Sequence, residues 1–160
     1  MSAIVDSGSA PALSGDEKAA IKSTWPSVFA KAEDVGAEML SRFISSNADV
    51  KKYFPKFKDI SSQAELKSSA KVRDHAKRIM AFINDLVDNI DNAGAQTAKL
   101  HSLSAEHAEK FKVDPQYFKV ISNVLLDILG ETFGASFSGA TRSAWIKLLS
   151  IICIGLRSAF

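Results

Sequence analysis

The sequence predicts an all-α domain of seven to eight helices, and three observations carry that prediction. Apolar residues recur at intervals of three and four along most of the chain. Prolines and glycines fall between the periodic stretches or at their edges. No stretch alternates with the period of two that a half-buried strand shows. With 160 residues, 46% of them hydrophobic and 24% charged, the chain has the size and balance of one globular domain with a substantial core.

Residues 1–12 (MSAIVDSGSAPA) are small and polar and read as a flexible, irregular N-terminal tail. A single domain follows over residues 13–160. Its first helix opens at Ser14-Gly15-Asp16-Glu17, the pattern of a capping box, and carries Pro26 near its end, where a kink is expected. Over residues 69–90, Val72, His75, Ile79, Phe82, Leu86 and Ile90 form one stripe of a long helix, with Arg73, Lys77 and Asp85 turned elsewhere. A further helix carries Leu103, His107 and Phe111 on one face. Asp114-Pro115 supplies an N-cap and a proline at the first helical position of the next, whose stripe is Tyr117, Ile121, Val124 and Ile128. Trp145, Leu149, Ile152 and Leu156 mark the last helix. Gly36 and Ala76 are small enough to let two helices cross closely.

Charge and cysteine usage exclude several function classes. A net charge of +2, with basic and acidic residues interspersed, argues against nucleic acid or an anionic membrane as partner. Cys153, the single cysteine, lies among Ile151, Ile152 and Ile154 and reads as a core residue, so no intrachain disulfide forms. The first dozen residues lack a signal peptide's charged start and apolar stretch, and the longest apolar run, residues 151–154, is far short of a membrane span. A cytoplasmic protein is expected.

The chemistry rests with three histidines, His75, His101 and His107. His75 and His107 each sit within an apolar helix face, where an imidazole needs a partner; His101 lies on another side of the helix that carries His107. From periodicity alone, a core histidine bonded to a carbonyl is the plainer account of each. Zinc fits poorly, because one cysteine and three scattered histidines lack the usual ligand spacing. A Ser–His–Asp hydrolase is not excluded by counting, although no nucleophile elbow accompanies these histidines. A haem pocket explains more, since it needs one imidazole on iron, an apolar slot and a polar group opposite.

Motifs in order along the chain resemble the globins from about Leu13 to the end. Trp25 follows Ser14 by eleven residues, and Tyr53-Phe54-Pro55-Lys56-Phe57 is similar to the turn whose first phenylalanine packs on the haem face. His75 comes 21 residues after Phe54, and His107 comes 32 after His75. Val113-Asp114-Pro115-Gln116-Tyr117-Phe118 resembles the corner and helix start of haemoglobins, and Phe137-Ser138 with Ala144-Trp145-Ile146-Lys147 the start of the last globin helix. Within the family, the tail from Ile4 to Ser14, the turn at 54–58 and the ending around Ile152-Cys153 are similar to jawless-vertebrate haemoglobins of the lamprey type. Glu33-Asp34-Val35-Gly36 and Ser143-Ala144-Trp145 look as much like cytoglobin.

The resemblance implies a globin fold around one haem b (iron protoporphyrin IX), with no enzymatic role as its main activity. His107 would be the proximal iron ligand, its second ring nitrogen held by a carbonyl about one turn back, near Leu103. His75 would be the distal histidine, donating a hydrogen bond to dioxygen or another diatomic gas, or ligating the iron itself in a cytoglobin-like protein. Leu40, Phe54, Ile79 and Val113 would wall the haem, with Leu103, Tyr117, Phe118 and Ile121 completing the slot and Arg78 in reach of a propionate. The implied function is oxygen transport or storage, in erythrocytes if the haemoglobin likeness holds, with weak ligand-linked self-association of the deoxygenated protein. The implied alternative is nitric oxide dioxygenation, nitrite reduction or redox sensing. Three positions depart from the pattern. Ala48 stands where proline is usual, and Phe160 where tyrosine is common. Asp74, beside His75, replaces a large aromatic and sets a charge where deoxygenated lamprey-type chains associate.

Overall fold

A local signal starts the first helix where the sequence places it. In the computed structural model, which describes residues 3–137 and 139–160, Ser14 and Glu17 form both halves of the capping box at the head of α1, Gly15–Phe29. Pro26 stands in the last turn, and the helix ends three residues later. The remaining α-helices are α2 (Ala32–Ser46), α3 (Gln63–Ser68), α4 (Ala70–Asp88), α5 (Ala93–Glu106), α6 (Gln116–Phe133) and α7 (Ala140–Leu156). Short 3-10 turns cover Ala48–Tyr53, Pro55–Phe57 and Gly134–Phe137, and no strand occurs among the described residues. Asp114 caps α6 as expected: its carboxylate accepts the Gln116 amide at 3.1 Å.

Glycine sets two helix crossings. A Cβ on Gly36 of α2 would stand 2.8 Å from the Ala76 Cβ of α4, and one on Gly155 of α7 would stand 2.7 Å from the Leu100 side chain of α5. Both pairs of helices therefore approach more closely than side chains allow. Helix α1 packs on α7 through Trp25 and Trp145, whose rings are 5.8 Å apart. Arg42 of α2 reaches Glu131 of α6 at 2.7 Å and pairs with Glu38, which Lys67 of α3 also holds.

Two close-packed clusters result. The larger joins α1, α4, α6 and α7; the smaller gathers Leu40, Phe43, Ile44, Val50, Phe57, Leu66, Val72 and Ala76. Ile79, Ile121 and Val124 border both. Helix α5 packs on α7 but not broadly on α4 or α6, so a gap opens between α5 and those two helices.

The buried faces are offset from the stripes read in the sequence. In α4 the enclosed residues are Val72, Ala76, Met80, Ile83, Leu86 and Val87, while His75, Ile79 and Phe82 are half-buried along one flank. In α6, likewise, Tyr117, Ile121 and Val124 are half-buried and Leu125, Leu126 and Leu129 are enclosed. Each helix carries an apolar face wider than its protein contacts use, and the surplus borders the gap.

Three other features need tertiary context. The segment before α1 is irregular, yet Ile4 is buried in the larger cluster, the Val5 amide donates to Ser150 at 3.0 Å, and Asp6 pairs with Arg157. Cys153 is buried, and desolvation pushes its thiol up to about 11. By length and composition α6 with its extension, Gln116–Phe137, is apolar enough to cross a membrane, a longer apolar helix than the run at residues 151–154 foretold. Here Leu125, Leu126 and Leu129 of that helix lie in the larger cluster.

Candidate functional site

Two of the three histidines flank the gap. His107 follows the last residue of α5 and opens a π turn, His107–Phe111, closed by Lys112 in the left-handed region at φ 50°. Turns of this kind are rare and concentrate at functional sites. The His107 Nδ1 lies 2.9 Å from the Leu103 carbonyl. A carbonyl only accepts, so Nδ1 donates, and in the neutral ring the lone pair rests on Nε2. Among the described residues Nε2 has no protein partner. Phe111 and Phe118 meet the ring edge-on, with centroids at 5.3 Å and 5.4 Å.

His75 approaches from α4. Phe54 lies edge-on to its ring at 5.5 Å and Phe57 at 6.1 Å, and the two phenylalanines stack on each other. Burial pushes the imidazole below its usual range; the charges of Arg78 and His107 act the same way, and Asp74 opposes them. His75 is accordingly neutral near neutral pH. Charge on His107 is felt at His75.

The other expected residues divide into three groups. Phe54, Ile79, Leu103, Val113, Tyr117 and Ile121 are half-buried, an apolar set with faces left open. Leu40 and Phe118 are enclosed, and Phe118 reaches the gap only through its contact with His107. Arg78 is exposed, with Asp74 of its own helix 3.4 Å away, and its charge acts on His75. Sequence reasoning passed over Phe57, Phe43 and Tyr53. Phe43 and Tyr53 each meet Tyr117 edge-on at 6.1 Å, and the Tyr53 hydroxyl accepts the Asp114 amide at 3.2 Å. Phe57, three residues after Phe54 in one aromatic turn, carried a legible signal; Phe43 and Tyr53 are placed by long-range contacts.

These residues fit a flat apolar group carrying a metal. One imidazole is oriented by a carbonyl with its other nitrogen free, a second neutral imidazole stands opposite, and half-covered apolar side chains lie between them. Apolar faces left open between close-packed clusters are the surface that such a group would cover.

Residues 37–156 match the family model described as Globin. The chain is 43% identical over 158 residues to Globin-1 of Petromyzon marinus, covering 98% of this chain and 99% of the relative. It is 38% identical over 157 residues to Globin-1 of Mordacia mordax, with 98% and 99% covered. It is also 35% identical over 148 residues to Cytoglobin-1 of Oryzias latipes, covering 92% of this chain and 84% of that one.

Proposed function

This chain belongs to the globin family, whose members bind gases at a haem and are not mainly enzymes, and from that premise we propose that it reversibly binds dioxygen for transport or storage. The observation that carries the reading is the pair of half-buried imidazoles, His75 and His107, each set among aromatic and apolar side chains, with only His107 tethered by a backbone carbonyl. The group proposed is haem b; when bound, it would supply an iron able to bind a diatomic gas reversibly. His107 would hold the iron through Nε2, and the Leu103 carbonyl fixes its tautomer and ring plane. Phe54, Ile79, Val113, Tyr117 and Ile121 wall the slot and keep water out. His75, packed edge-on against the stacked Phe54 and Phe57, would donate a hydrogen bond to the gas. A bond of that kind to a partly charged acceptor contributes roughly 1.5–3 kcal/mol, about one to two decades of affinity. The proposed setting is the cytoplasm, in erythrocytes if the lamprey-type likeness extends to physiology, with weak self-association of the deoxygenated form.

A cytoglobin-like role is the second reading, favoured by the cytoglobin relatives and by ring nitrogens of His75 that no other described residue engages. In that case His75 itself ligates iron, and an external ligand binds with an affinity reduced by the fraction of time the position is closed. The visible spectrum of the reduced, deoxygenated protein separates the two. One broad band that splits into two when oxygen is admitted supports the carrier; two sharp bands before oxygen refute it in favour of the second reading. Substituting His107→Gly should abolish the native spectrum, and added imidazole should restore it; a His107→Gly protein with an unaltered spectrum refutes the ligand assignment. Oxygen affinity independent of protein concentration refutes the association.

A further inference from the structure

The His107 end of helix α5 has its polar ties on the C-terminal end of the chain. Ser104, three residues before His107, is fully buried, and its hydroxyl has two partners there. It donates to the Leu156 carbonyl at the end of α7 and accepts the Ala159 amide at 3.0 Å. One turn earlier, His101 Nδ1 lies 2.9 Å from the Ser158 hydroxyl. Ser158 donates its own proton to the Gly155 carbonyl at 2.6 Å, so His101 is the donor in that contact. Leu100 of α5 sits in the space that Gly155 leaves open. The last residue reaches His107 by a second route: Phe160 meets Phe118 edge-on at 5.9 Å, and Phe118 meets His107 at 5.4 Å.

At its far end α5 is tied to α4 by Gln96, which donates to the Leu86 carbonyl, and by Lys99, which pairs with Asp85. Near His107 it does not pack broadly on α4 or α6. There its contacts are with Gly155 and residues 156–160. Phe160 lacks the hydroxyl of a tyrosine, and Ser104, a short side chain satisfied on both its donor and acceptor sides, makes the polar tie instead.

We propose that residues 156–160 form a latch that sets the position of His107, with Ser104 and Phe160 as positioning residues acting through α5 and through Phe118. The proposal rests on the reading of His107 as the iron ligand. A helix held at few points answers to the loss of one of them locally, before the rest of the fold gives way.

The test uses the full-length, haem-loaded protein and the variants Ser104→Ala, Phe160→Ala and Phe160→Tyr. The iron–histidine stretching band is recorded by resonance Raman just after photolysis of the carbon monoxide complex, so that His75 does not compete. Amide hydrogen exchange is followed on the same samples. Ser104→Ala should speed exchange in α5 about tenfold, leave α2 and α4 unchanged, and shift or broaden the band. Phe160→Ala, at a half-exposed residue and so tolerated by the fold, should shift the band, and Phe160→Tyr, which keeps the ring, should retain it. Exchange accelerated equally in α2, α4 and α5 of Ser104→Ala would overturn the latch in favour of general destabilisation. A normal wild-type band that neither alanine variant moves refutes the latch alone. A wild-type protein with no such band refutes the assignment of His107, and the latch with it.

Discussion

The crossing of α2 and α4 sets where His75 stands, and Gly36→Ala perturbs it by one methyl group. The added Cβ would lie 2.8 Å from the Ala76 Cβ, 3.1 Å from the Ala76 carbonyl oxygen and 3.1 Å from Met80 Cγ. Met80 can swing its side chain away; Ala76 cannot. Carbon atoms rest at about 3.5–4.0 Å, so the helices must part locally by roughly 1 Å. Overpacking of this kind costs about 1–3 kcal/mol. Replacing a mid-helix glycine by alanine returns about 0.5–1 kcal/mol, leaving a net loss of about 1–2 kcal/mol. For a domain of this size, each kcal/mol lowers the melting temperature by about 2–4 °C, so a fall of about 2–8 °C is expected. The double variant Gly36→Ala/Ala76→Gly moves the methyl to the other helix and leaves the sum of helix propensities unchanged. It should melt near the wild type, with a coupling of at least about 1 kcal/mol relative to the two single variants. Because Ala76 adjoins His75, gas affinity should change in Gly36→Ala and return in the double variant. Thermal unfolding followed by far-ultraviolet circular dichroism is the assay. A Gly36→Ala protein as stable as the wild type, or a double variant no better than the two losses summed, would refute the reasoning.

Cys153 makes a second case. Its thiol is raised from the ordinary value of 9.0 to about 11 by burial, so the folded chain holds the neutral form while the unfolded chain ionises first. The stability it contributes is intact below pH 9 and is lost as pH rises through about 11, a difference on the order of 2–3 kcal/mol. Urea unfolding from pH 8 to 11 should show that decline in the wild type in excess of Cys153→Ala; parallel curves would count against it. Ser14→Ala removes a side chain that caps the Glu17 amide at 3.2 Å and should cost about 1 kcal/mol in urea unfolding; no change would mean that α1 is held by packing alone. Gln96 is buried and donates to the Leu86 carbonyl at 2.8 Å, tying α5 to α4 at the end away from His107. Gln96→Leu strands that carbonyl and should cost about 1–3 kcal/mol, read by the same assay.

What was legible in the sequence was whatever depends on near neighbours. The capping box at Ser14, the Asp114 cap of α6, the glycine and alanine that allow α2 to cross α4, and the core position of Cys153 all follow from residue type and spacing within a turn or two. So do the two histidines on apolar helix faces, because a period of 3.6 places them without knowledge of any partner. The motifs that resemble the globins add order and spacing along the chain, which is how the gap between His75 and His107 was expected at all.

Tertiary structure decided which side of each apolar stripe is covered. Periodicity cannot separate a residue packed in the core from one bordering a gap, so Ile79 and Ile121 read like Met80 and Leu125 until the helices are assembled. Arg78 reads as within reach of a propionate; the fold adds Asp74, one turn back on the same helix, as its ion-pair partner. Ile4 sits in an irregular segment without periodicity, and its burial follows from the groove that the helices present. Ser104 looks like any small polar residue of a helix; its two partners lie more than fifty residues away. Local chemistry writes the helices and their caps into the chain, whereas the choice of partner for a side chain depends on which distant backbone atoms arrive beside it.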